Sequence, residues 1–369
     1  MKTNLNSSSK RILILGQTPP PFGGQAINIQ KMLAVLDQHQ FQFKHIRLDL
    51  SEELSEMGAF NGNKVFKLLK IFFALIWQML VYHPDYIYYP PAGPTRNAVY
   101  RDLVLLFPIK LFGFKRIFHF HAGGIATIYP QLNQWAKWLF RYVYFKAEKA
   151  ICLSKAGTID AHFLQIDSVS IIASGVEPFT STTLSKEQDS FIVLFAGLCS
   201  ASKGILDFIA VLRQSRKFNK QIKGRVIGKP SSSLEANALR EAEKEGILEY
   251  HGVVTGKEKE TVFLSSSAFL FPTVFESENF PTVIVEAFAA SLPVIATNWR
   301  GIPDLVVHEQ NGYLQEPHDI EAMSNSLIGL ANDSVLYQRL STNAKNHFDA
   351  NYSLGTFERS IVAYFNQLE

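Results

Sequence analysis

The chain has 369 residues, 47% of them apolar and 19% charged, which is too long for one ordinary domain and enough for two cores of about 150–200 residues each. Its two cysteines, Cys152 and Cys199, lie far apart in apolar, strand-like runs, which argues against a disulfide framework or a paired-cysteine zinc site and fits a reducing compartment. Net charge is only +3, yet residues 1–180 carry 19 Lys/Arg against 11 Asp/Glu and residues 181–369 carry 17 against 22, so the first half is suited to an anionic partner, either a membrane surface or a phosphate-bearing substrate.

Along the chain, the polar opening lacks the apolar run of a signal peptide and leads into a strand over Arg11–Leu15. A loop with three prolines follows, then a helix over Gln25–Leu36. The loop is not a GxGxxG fingerprint, so dinucleotide binding is not expected. Gly23 and Gly24 nevertheless stand at the helix entrance, where glycine lets backbone approach a phosphate closely. The most apolar segment, Ile71–Tyr82, is 12 residues long and includes Gln78, short of the ~20 needed to cross a bilayer. The expectation is a cytoplasmic, non-integral protein. Lys64, Lys67 and Lys70 precede that segment at one-turn spacing, and Trp135–Lys146 mixes aromatics with Lys137 and Arg141. Basic, aromatic-rich helices of this kind either lie in a bilayer interface or cover a sheet. The excess of positive charge favours peripheral contact with an anionic membrane.

Further strands are expected over Tyr86–Tyr89, Arg116–Phe120 and Ala150–Leu153, then over Phe191–Ala196, Gly224–Ile227, Ala268–Phe271 and Val294–Ala296. His121 follows the Arg116–Phe120 strand and so stands at its carboxyl end, whereas His119 is expected on the opposite face with a structural part. Glu177–Ser190, polar and rich in Thr and Ser, reads as a linker. Short apolar strands alternating with amphipathic helices imply α/β architecture: two doubly wound parallel-sheet domains that bind ligands at the carboxyl ends of their strands. The division expected is 1–180, 181–350, and a closing segment 351–369 whose helix, near Thr356–Gln367, crosses back to the first domain.

The richest stretch is Phe269–Leu305. A strand ends at Phe271, a loop carries Glu276 and Glu278, Pro281 suits the first helical position, and Glu286 lies in the apolar helix that follows. Amides at Phe280, Thr282 and Val283 would face out of the helix start as an anion site. Glu278 and Glu286, eight residues apart, can accept hydroxyls of a ribose and a sugar on either side of that phosphate; the alternative is two solvated glutamates. Earlier, Gly197 closes a strand, and a small-residue loop leads to Lys203 at a helix entrance. A lysine placed there can neutralise a diphosphate and charge developing on a leaving group, or be an ordinary surface lysine. His121 can hydrogen-bond a sugar hydroxyl or developing charge, or simply pack in its loop.

Glu278-Asn-Phe-Pro-Thr-Val-Ile-Val-Glu286 resembles the Glu-X7-Glu motif of family 4 retaining glycosyltransferases with the GT-B fold, in which two Rossmann-like domains face a cleft. The resemblance continues through Gly301-Ile-Pro-Asp304 and Asn311-Gly312. It implies that Glu278 contacts the donor sugar, that Glu286 binds the ribose, and that Asn279, Phe280, Pro281 and Thr282 lie beside the donor. It also implies that Gly23, Gly24, Gly197 and Lys203 serve the donor phosphates and that His121 lies near the reacting carbon. The sequence departs from the family at Asn279, Pro281 and Ser291, where glycine is usual, and at Leu198, where arginine is frequent; Arg300 is a candidate second cation. The implied activity is a retaining, metal-independent transfer from a nucleotide-diphosphate sugar to a saccharide, lipid-linked at the inner face of the membrane, with no cofactor and no nucleic-acid partner. A sugar-nucleotide 2-epimerase of the same architecture and a non-catalytic subunit of a glycosylation complex are the alternatives.

Overall fold

The computed structural model describes residues 10–20, 23–49, 62–91, 93–179 and 190–368; most of the Glu177–Ser190 linker reading falls outside them. The chain divides into two units, Met1–Ser174 with Phe357–Glu369, and Gly175–Thr356.

In the first unit, strands β1 (Ile12–Gly16), β2 (Phe43–Arg47), β3 (Tyr86–Tyr89), β4 (Lys115–Phe120), β5 (Lys149–Cys152) and β6 (Val169–Ile171) alternate with helices. These are α1 (Gly24–Gln38), α2 (Gly62–Tyr82), α3 (Arg96–Leu111), α4 (Ile125–Ile128), α5 (Gln134–Tyr144) and α6 (Thr158–Phe163). The strands pair in parallel in the order β2-β1-β3-β4-β5-β6. Side chains at alternate positions, Leu13, Leu15, Ile87, Tyr89, Phe118 and Phe120, join α2, α3 and α5 in one apolar cluster, as the two-residue period of a strand requires.

The second unit holds β7 (Phe191–Ala196), β8 (Ile222–Ile227), β9 (Leu248–Tyr250), β10 (Ala268–Phe271), β11 (Val294–Thr297) and β12 (Gly312–Gln315). Its helices are α7 (Ile205–Ser215), α8 (Ser233–Lys244), α9 (Gly256–Leu264), α10 (Thr282–Ala289), α11 (Ile320–Asn332), α12 (Ser334–Asn351) and α13 (Leu354–Asn366), whose last part belongs to the first unit. The order β12-β11-β10-β7-β8-β9 starts in the middle of the sheet, runs to one edge and returns beside its start. The chain therefore reverses direction between β7 and β10, the crevice where such sheets take ligands.

All eight strands expected from sequence are present. The four not anticipated, β2, β6, β9 and β12, are the edges of the two sheets. Interior parallel strands are covered on both faces and read as unbroken apolar runs, whereas edge strands carry polar residues at half-exposed positions. The bar on membrane crossing by length needs correction. α2 begins well before Ile71, and Val65–Tyr82 forms an 18-residue window with mean hydropathy 1.7, long and apolar enough to cross a membrane. Even so, Ile71, Leu75 and Met79 of this helix are buried in the core of the first unit. Cys152 and Cys199 are free and buried, and burial first of all pushes both thiols up to about 12. Cys199 lies just beyond β7 rather than inside a strand, bridged to Pro230.

Candidate active site

Because β7 and β10 are neighbours, the loops at their carboxyl ends come together. Beyond β7, Gly197 (φ 139°) turns the chain. Lys203 closes a short 3₁₀ turn, Ala201–Lys203, capped by the Ser200 side chain. Gly204 then opens α7 at φ 84°, and a Cβ there would lie 2.1 Å from the carbonyl oxygen of Pro272, beyond β10. That close approach lets Lys203 meet Glu278: its Nζ pairs with the carboxylate Oε2, to which Thr273 Oγ1 also donates at 3.3 Å. The ammonium also lies 4.5 Å from the centroid of the Phe275 ring. Glu278 and Asn279 are buried, at 7% and 6% exposure, and the Asn279 side-chain Nδ2 has no partner among the described residues.

Pro281 is the N-cap of α10 rather than its first helical residue (φ −70°, ψ 101°). The one-residue shift leaves the Thr282 and Val283 amides in the first turn, where the helix offers them no carbonyl. Phe280 is buried edge-on against Tyr352, centroids 6.0 Å apart. One turn further along α10, Glu286 Oε1 accepts from Lys259 Nζ of α9 at 2.6 Å, while its Oε2 is buried with no partner among the described residues. Lys259 was missed from sequence because it sits in a charged helix, Gly256–Leu264, with no motif around it. Arg300, the candidate second cation, is instead exposed over the Trp299 ring, at 5.7 Å.

The later motif elements brace this loop. A Cβ at Gly301 would lie 1.8 Å from the Asn279 carbonyl oxygen, so only glycine allows that contact. Asn311 is buried; its Oδ1 accepts from the Val307 amide at 2.8 Å and its Nδ2 donates to the Leu305 carbonyl at 3.2 Å. Ser291, which replaces a usual glycine, holds the left-handed backbone that follows α10 (φ 58°).

In the first unit, Gly23 caps α1 in extended conformation beyond β1. A Cβ on Gly24 would meet nothing within 4 Å among the described residues, so none of them requires glycine there. Asn28, one turn on, is buried, and neither side-chain amide atom has a partner among the described residues; no sequence pattern pointed to it. The expectation for His119 is corrected. Two residues along a strand return to the same face, so His119 and His121 stack with ring centroids 4.0 Å apart. Tyr88 Oη reaches Nδ1 of His119 at 2.6 Å and Nε2 of His121 at 3.5 Å. Burial lowers the His121 pKa to about 3, and burial plus the neighbouring His121 drives that of His119 well below its usual value. Both are therefore neutral near pH 7, acting as hydrogen-bonding groups rather than cations. Asp160 anchors the loop after them, accepting from the Gly124 and Ala126 amides, each at 2.8 Å.

Residues 163–347 match the family model described as glycosyl transferases group 1. Over 182 residues the chain is 27% identical to the capsular polysaccharide biosynthesis glycosyltransferase CapM of Staphylococcus aureus, covering 48% of this chain and 46% of that protein. It is 30% identical over 170 residues to the D-inositol 3-phosphate glycosyltransferase of Streptomyces avermitilis, covering 43% and 36%. The chain thus spans about half or less of the length of these relatives. Among solved structures, sucrose-phosphate synthase of Thermosynechococcus elongatus superposes with a TM-score of 0.76 at 17% identity, over 97% of this chain and 98% of that one. Anabaena HepE in complex with UDP and glucose gives 0.66 at 17% identity, over 97% and 100%.

Proposed function

Since the chain belongs to the group 1 glycosyl transferases and has the GT-B fold, we propose that it transfers a sugar from a nucleotide-diphosphate donor to a saccharide during surface polysaccharide synthesis. The observation that carries the reading is the Lys203–Glu278 pair at the reversal point between β7 and β10. A nucleotide-diphosphate sugar needs a cation and helix-terminal amides for its phosphates, with carboxylate acceptors for its hydroxyls. Lys203, the first turn of α10, Glu278 and the unpartnered Oε2 of Glu286 supply that set. CapM and the complex of HepE with UDP and glucose support the same direction.

In this reading Glu278 and the Asn279 amide hold the donor sugar, Glu286 holds the ribose, and Lys203 stabilises the departing diphosphate as its charge develops. Gly197, Phe280, Pro281 and Thr282 shape the donor pocket of the second unit; within the first unit, the Gly23–Gly24 backbone and neutral His121 are the groups offered to substrate. The configuration of the sugar is retained and no metal takes part, the cations being lysines. The acceptor is lipid-linked, met by a peripheral enzyme at the inner face of the membrane; the basic first half supports this.

A thermal-shift panel of UDP, GDP, CMP and their sugars on the wild type and Glu286→Ala tests the donor site. A nucleotide at 100 times its Kd adds roughly 2.7 kcal/mol, and that gain should vanish in Glu286→Ala. Equal stabilisation of both proteins would remove Glu286 from the site, and none in either would remove the donor reading itself.

A further inference from the structure

Helices α2, α3 and α5 each bury one face in the first unit and leave the other apolar. In α2, Ile71, Leu75 and Met79 are buried at four-residue spacing, while Phe66, Phe73, Trp77 and Leu80 on the opposite side are 58–71% exposed. Outward positions of α3 repeat the pattern with Val104, Phe107 and Leu111, and those of α5 with Trp135 and Trp138. α3 packs against both other helices. The outer faces of α3 and α5 are joined by rings: Phe107 meets Tyr142 at 6.0 Å between centroids, and Tyr142 stacks on Trp138 at 6.3 Å. A contiguous apolar surface of this kind is rare on a soluble monomer.

Charge identifies what covers it. The three helices carry eight Lys/Arg and one carboxylate. That carboxylate, Asp102, is fully buried and accepts from Tyr89, Arg101 and Tyr144. The outer surface of these helices therefore presents cations, Lys70 and Arg141 among the exposed ones, and none of the three helices places a carboxylate on it. A second copy related by a two-fold axis would set like charge against like. Crossing the bilayer would tear Ile71, Leu75 and Met79 from the core. A layer with an apolar interior and phosphate headgroups satisfies both the rings and the cations.

We propose that the outer face of α2, α3 and α5 lies flat on an anionic bilayer, with its aromatic and aliphatic side chains at the headgroup boundary and its cations on lipid phosphates. This deepens the membrane contact in the function proposed above and rests on it, while remaining independent of donor chemistry. The test is co-sedimentation of the full chain with vesicles of phosphatidylcholine alone or mixed with phosphatidylglycerol. It is run beside Phe73→Ser/Trp77→Ser and Lys70→Gln/Arg141→Gln, with unfolding midpoints and nucleotide binding measured on each protein. The wild type should bind the anionic vesicles and the first variant at least tenfold more weakly. The second should lose roughly fivefold per charge removed and show a flatter salt dependence, with nucleotide binding unchanged in both. Quenching of Trp77 and Trp138 should be stronger by lipids brominated near the headgroup than by lipids brominated deep in the chain. Failure of the wild type to bind anionic vesicles would overturn the proposal while leaving the donor reading intact. So would deep quenching with resistance to alkaline extraction, or a dimer in solution that the same substitutions dissolve.

Discussion

Lys203 and Lys259 each hold a glutamate, but the two pairs are expected to fail differently when broken. In the function proposed, Lys203 lies where leaving-group charge develops, so Lys203→Ala should lower kcat about a hundredfold or more with a smaller change in donor KM. Lys259 holds only the ground-state position of Glu286. A charge-assisted hydrogen bond of about 1.5–3 kcal/mol makes Lys259→Met a KM variant, weakening donor binding roughly tenfold or more at near-normal kcat. Steady-state kinetics on the two variants separate these outcomes, and a kcat collapse in Lys259→Met would contradict the assignment. His121 gives a third expectation. With its pKa lowered to about 3 by burial, the imidazole stays neutral across the working range, so kcat/KM should show no inflection near 6.5 that disappears in His121→Asn. Glu278 and Glu286 could be read from sequence because their spacing lies within one loop and one helix. Lys259, Thr273 and Asn28 could not, since each reaches its place through the tertiary fold and no short pattern marks it.

Among the elements, interior strands were legible and edge strands were not. Phe191–Ala196 is apolar throughout because both faces are covered, whereas the Phe43–Arg47 strand carries Lys44, His45 and Arg47, buries none of its five residues fully and looks like a loop. Motif glycines were legible as a pattern, but their reason appears only in the fold, as at Gly301 beneath the Asn279 carbonyl. Ser291 shows the same logic in reverse. A side chain in the left-handed region costs about 1–2 kcal/mol, offset by the roughly 0.5–1 kcal/mol that glycine's freedom costs elsewhere. Ser291→Gly should therefore stabilise the second unit by about 0.5–1 kcal/mol, raising its unfolding midpoint by about 1–4 °C. A lower midpoint in calorimetry would mean that the Ser341 hydroxyl, which donates to the Ser291 carbonyl at 2.7 Å, depends on the serine being there.

At the scale of the whole molecule, the units should respond differently to acid. His119 is fully buried in the first unit and its pKa is held well below the usual value by burial and by His121, whose own is lowered to about 3. The unfolded chain binds protons at these sites from about pH 6.5 downward while the folded unit does not. Stability is therefore fullest above about pH 6.5 and is lost as pH falls below it, because the unfolded chain takes up protons at these two sites that the folded unit refuses. Far-UV circular dichroism against pH, with His119→Phe for comparison, should show a shallower acid loss in the variant; identical curves would assign the acid loss to other groups.

The last helix has a consequence for the order in which the protein is made. Phe357, Ile361, Tyr364 and Phe365 are buried and belong to the first unit. Phe365 meets Phe41 at 6.0 Å, and Glu358 accepts from Gln38 at 3.2 Å. A ribosome adding about 5–20 residues per second delivers that helix roughly 10–40 s after Ser174 has emerged. Throughout that interval the nascent first unit keeps an open apolar seam, while the second unit already has its whole sequence up to Thr356. The half of the chain synthesised first is thus the half that finishes folding last, and chaperones should engage its β1–β3 region during translation.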